Sequence, residues 1–364
     1  MNWRSPILLL ALACGALAQS PGDGFRRITP DESVEFPRDH GAHPDTKTEW
    51  WYLTGNFEDA EGRAFGLQFT IFRSALTADA PAEGASPLRA TQVYLGHLAL
   101  ADVRANELRF AERLRRGGTA LADASETDMD LVLDDWSFRR VEGDRIELSA
   151  ADPTIDARVE LELSPKKPLV LHGEGGVSAK GAEDGNASVY ASWTRLHAEG
   201  VLALDGALHT IQGECWFDHE YGTSVLGQGV RGWDWFGLQL DDGRELMLFY
   251  LRHADGTAQP ASAGTLVERD GRAIHLTRDD FRIDASGEWK SPRNDARYPN
   301  AWQVRIPAHE IDLELATLIA DCELGSASGA GVTYWEGPVR ITGTQGGRGY
   351  AELTGYASSM TGRF

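Results

Sequence analysis

Glu49-Trp50-Trp51-Tyr52-Leu53-Thr54-Gly55-Asn56-Phe57 is dense in aromatic and β-forming side chains, breaks at Glu61-Gly62, and resumes as Phe65 to Phe72. Such residues fit a pleated, half-buried surface and the glycine supplies a turn, so the stretch predicts an antiparallel hairpin. Later segments repeat the pattern. Val93 to Leu100 reads as a strand, and Ala157 to Leu163 alternates Val159, Leu161 and Leu163 against Arg158, Glu160 and Glu162, which leaves one face wet. Asp205-Gly206, Asp242-Gly243 and Asp270-Gly271 each separate two β-like runs and carry the residues that a type I′ turn needs for positive φ. The chain is therefore read as an all-β meander of antiparallel strands. One helix is expected, over Asn106 to Arg115, where Leu108, Ala111 and Leu114 stand at helical spacing.

The opening hairpin has an echo. Trp51 through Gly62-Arg63 to Arg73 is similar to Trp233 through Gly243-Arg244 to Arg252, each opening on tryptophan and closing on arginine. Lipocalin-type barrels start this way, with a tryptophan plugging the floor and a distant arginine across it. The echo predicts two tandem lipocalin-like antiparallel β-barrels, over residues 49–226 and 227–364. Short strands at 301–306, 311–315, 335–342 and 349–356 would complete the second. Residues 19–48, held extended by Pro30, Pro37 and Pro44, form an expected lead-in over the first barrel.

With 364 residues, 42% of them hydrophobic, the chain can build substantial cores. A formal charge of -20 repels phosphate and anionic headgroups, which argues against nucleic acid and favours neutral or apolar ligands. Arg4, an apolar run from Ile7 to Leu17, and Ala16-Leu17-Ala18 before Gln19 read as a signal peptide over residues 1–18, so export to the periplasm or medium is expected. Cys14, preceded by Ala13, offers an alternative route as a lipid-anchored protein. No stretch is long enough for a transmembrane helix. Cys215 and Cys322 remain after cleavage, and a disulfide and two buried thiols are both open readings.

The chemistry concentrates between Gly213 and Arg252. Trp216-Phe217-Asp218-His219-Glu220-Tyr221 places three adjacent titratable groups among aromatics, and Trp233-Asp234-Trp235 follows after a Gly-rich joint. Buried carboxylates need partners, so a site is expected here. On a regular strand Asp218 and Glu220 share one face and His219 takes the other. Trp51 and Trp235 are expected as barrel plugs, and His97 as a satisfied core histidine. Glu49 is expected either to line the pocket or to pair with Arg195 or Arg252. His43, Asp45 and the Asp218–Glu220 run offer ligand types without a metal-motif spacing, so no metal is expected. No Gly-x-Ser-x-Gly elbow occurs, which argues against a serine hydrolase.

With those residues set out, the chain resembles the AttH-type carotenoid 1,2-hydratase family, whose members have two lipocalin-like domains. The resemblance rests on His43-Pro44-Asp45 with Glu49-Trp50-Trp51-Tyr52, Tyr190 with Thr194-Arg195-Leu196, and Trp216-Phe217-Asp218-His219-Glu220. Further along it rests on Gly232-Trp233-Asp234-Trp235, Tyr298-Pro299 with Trp302, Tyr334-Trp335-Glu336-Gly337, and Glu352-Leu353-Thr354-Gly355-Tyr356. It implies water addition to a carbon-carbon double bond of a carotenoid or other terpenoid, or an uncharacterised secreted role. The family's site maps onto Asp218, His219, Tyr221 and Tyr250, and Arg252 stands where an acid would be expected.

Cofactor-free hydration of an alkene needs an acid, a surface that stabilises a tertiary cation, and a base for water. Asp218, His219, Glu220 and Tyr250 are the candidate catalytic residues. Trp216, Tyr221, Trp233, Asp234, Trp235, Glu49, Trp51 and Arg195 are the candidate substrate contacts. The competing expectation is a non-catalytic carrier that holds a hydrophobic lipid or terpenoid in a barrel.

Overall fold

The computed structural model describes residues 24–78, 90–118, 120–223, 226–227, 229–326 and 332–361. The expected signal peptide and Cys14 lie outside them. Among the described residues no α-helix occurs; two single 3-10 turns, Arg38–His40 and Pro307–His309, interrupt an all-β chain.

The first sheet holds β1 (Thr48–Asp59), β2 (Ala64–Ala75), β3 (Gln92–Asp102), β4 (Glu107–Arg116), β5 (Ala122–Ala124), β6 (Asp130–Leu133) and β7 (Trp136–Arg140). It continues with β8 (Ile146–Asp152), β9 (Ala157–Pro165), β10 (Val170–Leu171), β11 (Val177–Ala179), β12 (Ala187–Leu204) and β13 (Ala207–Gly222). Neighbours run β4-β3-β2-β1-β13-β12-β9-β8-β7-β6-β5, a meander folded back on itself by the β1–β13 pairing into a nearly closed barrel. The second sheet, beside a separate two-stranded ribbon of β19 (Trp289–Lys290) and β20 (Arg297–Tyr298), holds β14 (Val230–Leu240), β15 (Glu245–His253), β16 (Ala263–Val267), β17 (Ala273–Leu276) and β18 (Arg282–Ser286). After them come β21 (Ala301–Ile306), β22 (Ile311–Thr317), β23 (Glu323–Leu324), β24 (Tyr334–Gly343) and β25 (Gly347–Leu353). Its path, β17-β16-β15-β14-β25-β24-β22-β21-β18, curls into a half-barrel, and β19 pairs only with β20. The architecture is two tandem lipocalin-like barrels.

Alternation sets what each barrel encloses. Trp51, Leu53, Phe69, Phe138 and Phe217 fill the first, and Phe236, Leu248, Trp302 and Trp335 fill the second. Cys215 and Cys322 sit in these separate cores as free thiols. The lead-in closes one end of the first barrel: the Trp51 indole donates to the His40 carbonyl at 3.0 Å, and the His40 ring stacks on Trp193.

The expected helix is instead β4, paired residue for residue with β3 after a turn in which Asn106 takes positive φ. Leu108 and Phe110 pack outward on the second domain while Ala111 enters the first core, an alternation of period two that the Leu108-Ala111-Leu114 spacing concealed. Of the three Asp-Gly turns only Asp205-Gly206 has positive φ at both positions; at 242–243 and 270–271 only the glycine does. There the Gly amide donates back three residues, as it does at Gly62, so the two echoed hairpins turn in the same way. Their closing arginines also match: Arg73 pairs with Glu49 at 2.7 Å and Arg252 with Asp234 at 2.8 Å, each within its own hairpin.

Gly213 on β13 shows how tightly the first barrel closes, since a Cβ there would lie 2.0 Å from the Asn56 carbonyl oxygen on β1. Backbone cannot yield as a side chain can, so Gly213→Ala is expected to lower unfolding free energy by about 1–3 kcal/mol, read as a urea midpoint shift without a change in slope.

Candidate functional site

The outer faces of the two sheets meet, and a cavity of about 310 Å³ lies between them. Alternation assigns its walls. On the first sheet, Trp50 and Tyr52 of β1, Thr70 and Phe72 of β2, Tyr190 of β12, and Asp218 and Glu220 of β13 point away from the barrel interior. On the second, Trp233 and Trp235 of β14, Phe249 and Leu251 of β15, Tyr334 and Glu336 of β24, and Glu352 of β25 face them. Gln239 bridges the seam beside the cavity, donating to the carbonyls of Thr194 and Cys215 at 2.9 Å each.

Asp218 is the most elaborately held of these groups. Its Oδ2 accepts from the Tyr190 hydroxyl at 2.7 Å, and its Oδ1 accepts from the Trp216 indole at 2.6 Å and from the Ser192 hydroxyl. Burial raises its pKa to about 7, outweighing the three donors that favour the anion. Tyr190 in turn accepts from the Trp235 indole at 3.0 Å. Behind Ser192 stands His172, bonded to Ser192 at 2.7 Å and Thr265 at 2.8 Å; burial holds its pKa at about 3, so it is neutral. Glu220 accepts from Ser188 and pairs with Lys180 at 3.1 Å, and the Lys180 ammonium lies over the Phe249 ring.

The opposite wall carries its own acids. Glu336 and Glu352 stand directly across from each other on β24 and β25. Tyr52 donates to Glu336, and the Trp233 indole donates to Glu352 at 3.2 Å. Burial and mutual repulsion raise Glu336 well above the usual carboxylate range, while burial raises Glu352 to about 8.

Several sequence candidates lie elsewhere. Tyr250 and Asp234 are on the face of the second sheet opposite Trp233 and Trp235; Asp234 pairs with Arg252 and accepts from Tyr356. Trp51, His219 and Tyr221 face the interior of the first barrel, where His219 stacks on Trp51 and His43 stacks on Tyr221. Arg195 pairs with Glu245 at 2.6 Å and with Glu214 at 2.5 Å, at the seam rather than in the cavity. Glu49 therefore pairs with neither Arg195 nor Arg252 but with Arg73, its register partner. Trp235, expected as a plug, is a cavity wall, and Trp216 packs behind it. Asp218, Glu220, Trp233, Trp235 and Glu49 do border the cavity. His97 is buried and bonded to Tyr334 at 2.8 Å.

His43, Glu49 and His219 bring three donor atoms within 4.8 Å of one another, a set that could hold a metal. Here Arg73 supplies the positive charge to Glu49, whose Oε1 sits 2.8 Å from His43 Nδ1 and 2.9 Å from His219 Nε2. The set is complete as a hydrogen-bonded clamp.

The raised acids make stability pH-dependent. Asp218 and Glu352 bind protons in the folded state at pH values where the unfolded chain has lost them, so stability falls as pH rises toward their folded pKa values. Below about pH 6.5, neutral His40 and His172 act in the opposite sense. The urea midpoint is therefore expected to decline from about pH 6.5 to 8, and Glu352→Gln to flatten that decline.

These features define a two-domain lipocalin-like β protein with an acid-lined, aromatic cavity between its domains. The AttH-like family model matches residues 27–356, and the chain belongs to that family. An AttH protein from Nitrosomonas europaea is 34% identical, covering 91% of this chain and 100% of its own, with a TM-score of 0.82. Kievitone hydratase from Nectria haematococca, at 13% identity, covers 92% of this chain and 98% of its own with a TM-score of 0.67. CghA, solved with Sch210972, covers 93% and 97% at 12% identity and a TM-score of 0.53. These two share the fold. Nothing matches among curated proteins.

Proposed function

We propose that the protein is an exported hydratase-like enzyme that adds water, without a cofactor, to a carbon-carbon double bond of a terpenoid or carotenoid-type molecule in the interdomain cavity. The observation that carries this reading is Asp218, a carboxyl poised at about pH 7 by burial and held by three donors on the wall of an aromatic cavity. A group that titrates near the working pH can both give and take a proton. Trp50, Tyr52, Trp233 and Tyr334 present ring surfaces to the same space, and such surfaces stabilise a developing cation. Protonation at one alkene carbon would leave a tertiary cation at the other; water adds there and loses a proton, so the net change is one water per double bond. One protein that shares the fold is a hydratase by name.

The packed interior of the first barrel turns a carrier reading toward this same cavity. The N-terminal apolar run supports export, and Cys14 supplies the lipid-anchored alternative. Incubation of the purified protein with lycopene-like and shorter terpenes in isotopic water tests the reading. A product carrying one labelled water supports hydration. A bound lipid recovered unchanged, with no label taken up from any terpene, assigns the cavity to carriage.

A further inference from the structure

Two sets of carboxyl groups face the cavity, and their surroundings differ in kind. Asp218 accepts three hydrogen bonds from Tyr190, Ser192 and Trp216, an arrangement that favours its anion. Glu336 and Glu352 are directly opposed on neighbouring antiparallel strands, where two like charges repel. Among the described residues neither forms an ion pair, and Glu336, which is 1% exposed, has one oxygen, Oε2, with no hydrogen-bond partner. Two packed apolar side chains would hold the strands together as well, so the paired acids are not needed for packing. Two carboxyls so placed relieve their repulsion by retaining a proton.

We propose that Glu336 and Glu352 form a proton-holding pair that is the general acid of this cavity, with Asp218 as the base. The assignment rests on the hydratase reading above. The pair gives its proton to one alkene carbon and becomes more negative, leaving a tertiary cation at the other carbon. Water attacks that cation and passes one proton to the Asp218 carboxylate. The product gains one C–H and one C–OH bond, and solvent carries the proton from Asp218 back to the pair. The burial that raises both glutamates agrees with this order, and so does the lower value of Asp218. Other titratable groups facing the pair are Tyr52 on β1, Tyr334 on β24, Tyr350 on β25, and Asp218 with Glu220 on β13.

The test compares Glu336→Gln and Glu352→Gln with the native protein in isotopic water across pH. Each amide keeps the shape and removes the proton. Each is expected to lose about 100-fold or more in kcat with KM within about threefold. The limb rising through about pH 7, which reports Asp218 losing its proton, should persist at a lower plateau. Infrared difference spectra of the ligand-free native protein at neutral pH should show a protonated carboxyl band that the double amide variant lacks, a readout that needs no substrate. Glutamine variants retaining kcat within about threefold would overturn the pair while leaving the hydratase reading intact. A native rate that falls rather than rises through about pH 7 would reverse the acid and base roles and also overturn it. A native protein that adds water to no terpene ends both readings, and absence of the infrared band ends the pair by itself.

Discussion

Asp218→Asn is expected to reduce water addition by about 10²- to 10⁴-fold, the range a positioned proton-transfer group contributes. The amide fits the existing network. Its oxygen can accept from the Trp216 indole and the Ser192 hydroxyl as Oδ1 does now, and its NH₂ can donate to the Tyr190 oxygen that faces Oδ2. The cavity therefore keeps its shape, and ligand affinity is expected to stay within about threefold. What disappears is a group that can exchange a proton near pH 7, which no change of buffer restores to an amide. The measurement is kcat and KM in isotopic water, alongside ligand binding by fluorescence of the cavity tryptophans. Undiminished turnover would remove Asp218 from the chemistry. Loss of binding in parallel with turnover would make it a contact residue instead.

Period-two alternation made much of this legible in the sequence. It separates Asp218 and Glu220 from His219, and the structure follows it along the whole of β13. What alternation does not specify is which face looks into a barrel and which looks at a neighbour. The face of β13 that carries Trp216, Asp218 and Glu220 is the outer one, and the second sheet covers it. Tyr52, Tyr190, Glu336 and Glu352 join the site through pairings across much of the chain, as in the Tyr52–Glu336 bond. Their signal was present as a charged residue beside tryptophan in Trp335-Glu336 and as an isolated glutamate in Ala351-Glu352-Leu353, but no local rule connects those stretches to Asp218. Tyr250 enters the candidate set through the family resemblance and Asp234 through its place between two tryptophans, and strand parity places both on the other face. Arg195 and Arg252 are the partners the sequence suggests for Glu49, but the hairpin register places Arg73 beside it.

That register partner carries the largest expected effect on stability. Arg73→Met should lower the unfolding free energy by about 3–5 kcal/mol, because it leaves a buried carboxylate without its counter-charge. Arg73 is 1% exposed and Glu49 is 0% exposed. Besides Glu49, the guanidinium donates to the carbonyls of His43 and Thr46 and to the Gln92 side chain, so it ties the lead-in to β1, β2 and the start of β3. Burial opposes the charge on Glu49, yet Arg73, His219 and His43 together hold its pKa well below the usual range. Stability from that depression is present above the unfolded pKa and is lost as pH falls through the folded one. In Arg73→Met the carboxyl can take up a proton, so the deficit measured by urea titration should be larger at pH 8 than at pH 5. Adding Glu49→Gln should recover part of it, since a whole pair is replaced more cheaply than half of one. A deficit that does not change with pH would assign the loss to packing of the long side chain rather than to charge. The consequence reaches the cavity: Glu49 holds His219, and His219 precedes Glu220 and follows Asp218 on β13. A one-residue slip between β1 and β13 would turn both acids into the barrel. The clamp on the inner face therefore keeps the acids on the outer face, and any Arg73→Met protein that still folds should show weakened turnover along with its reduced stability.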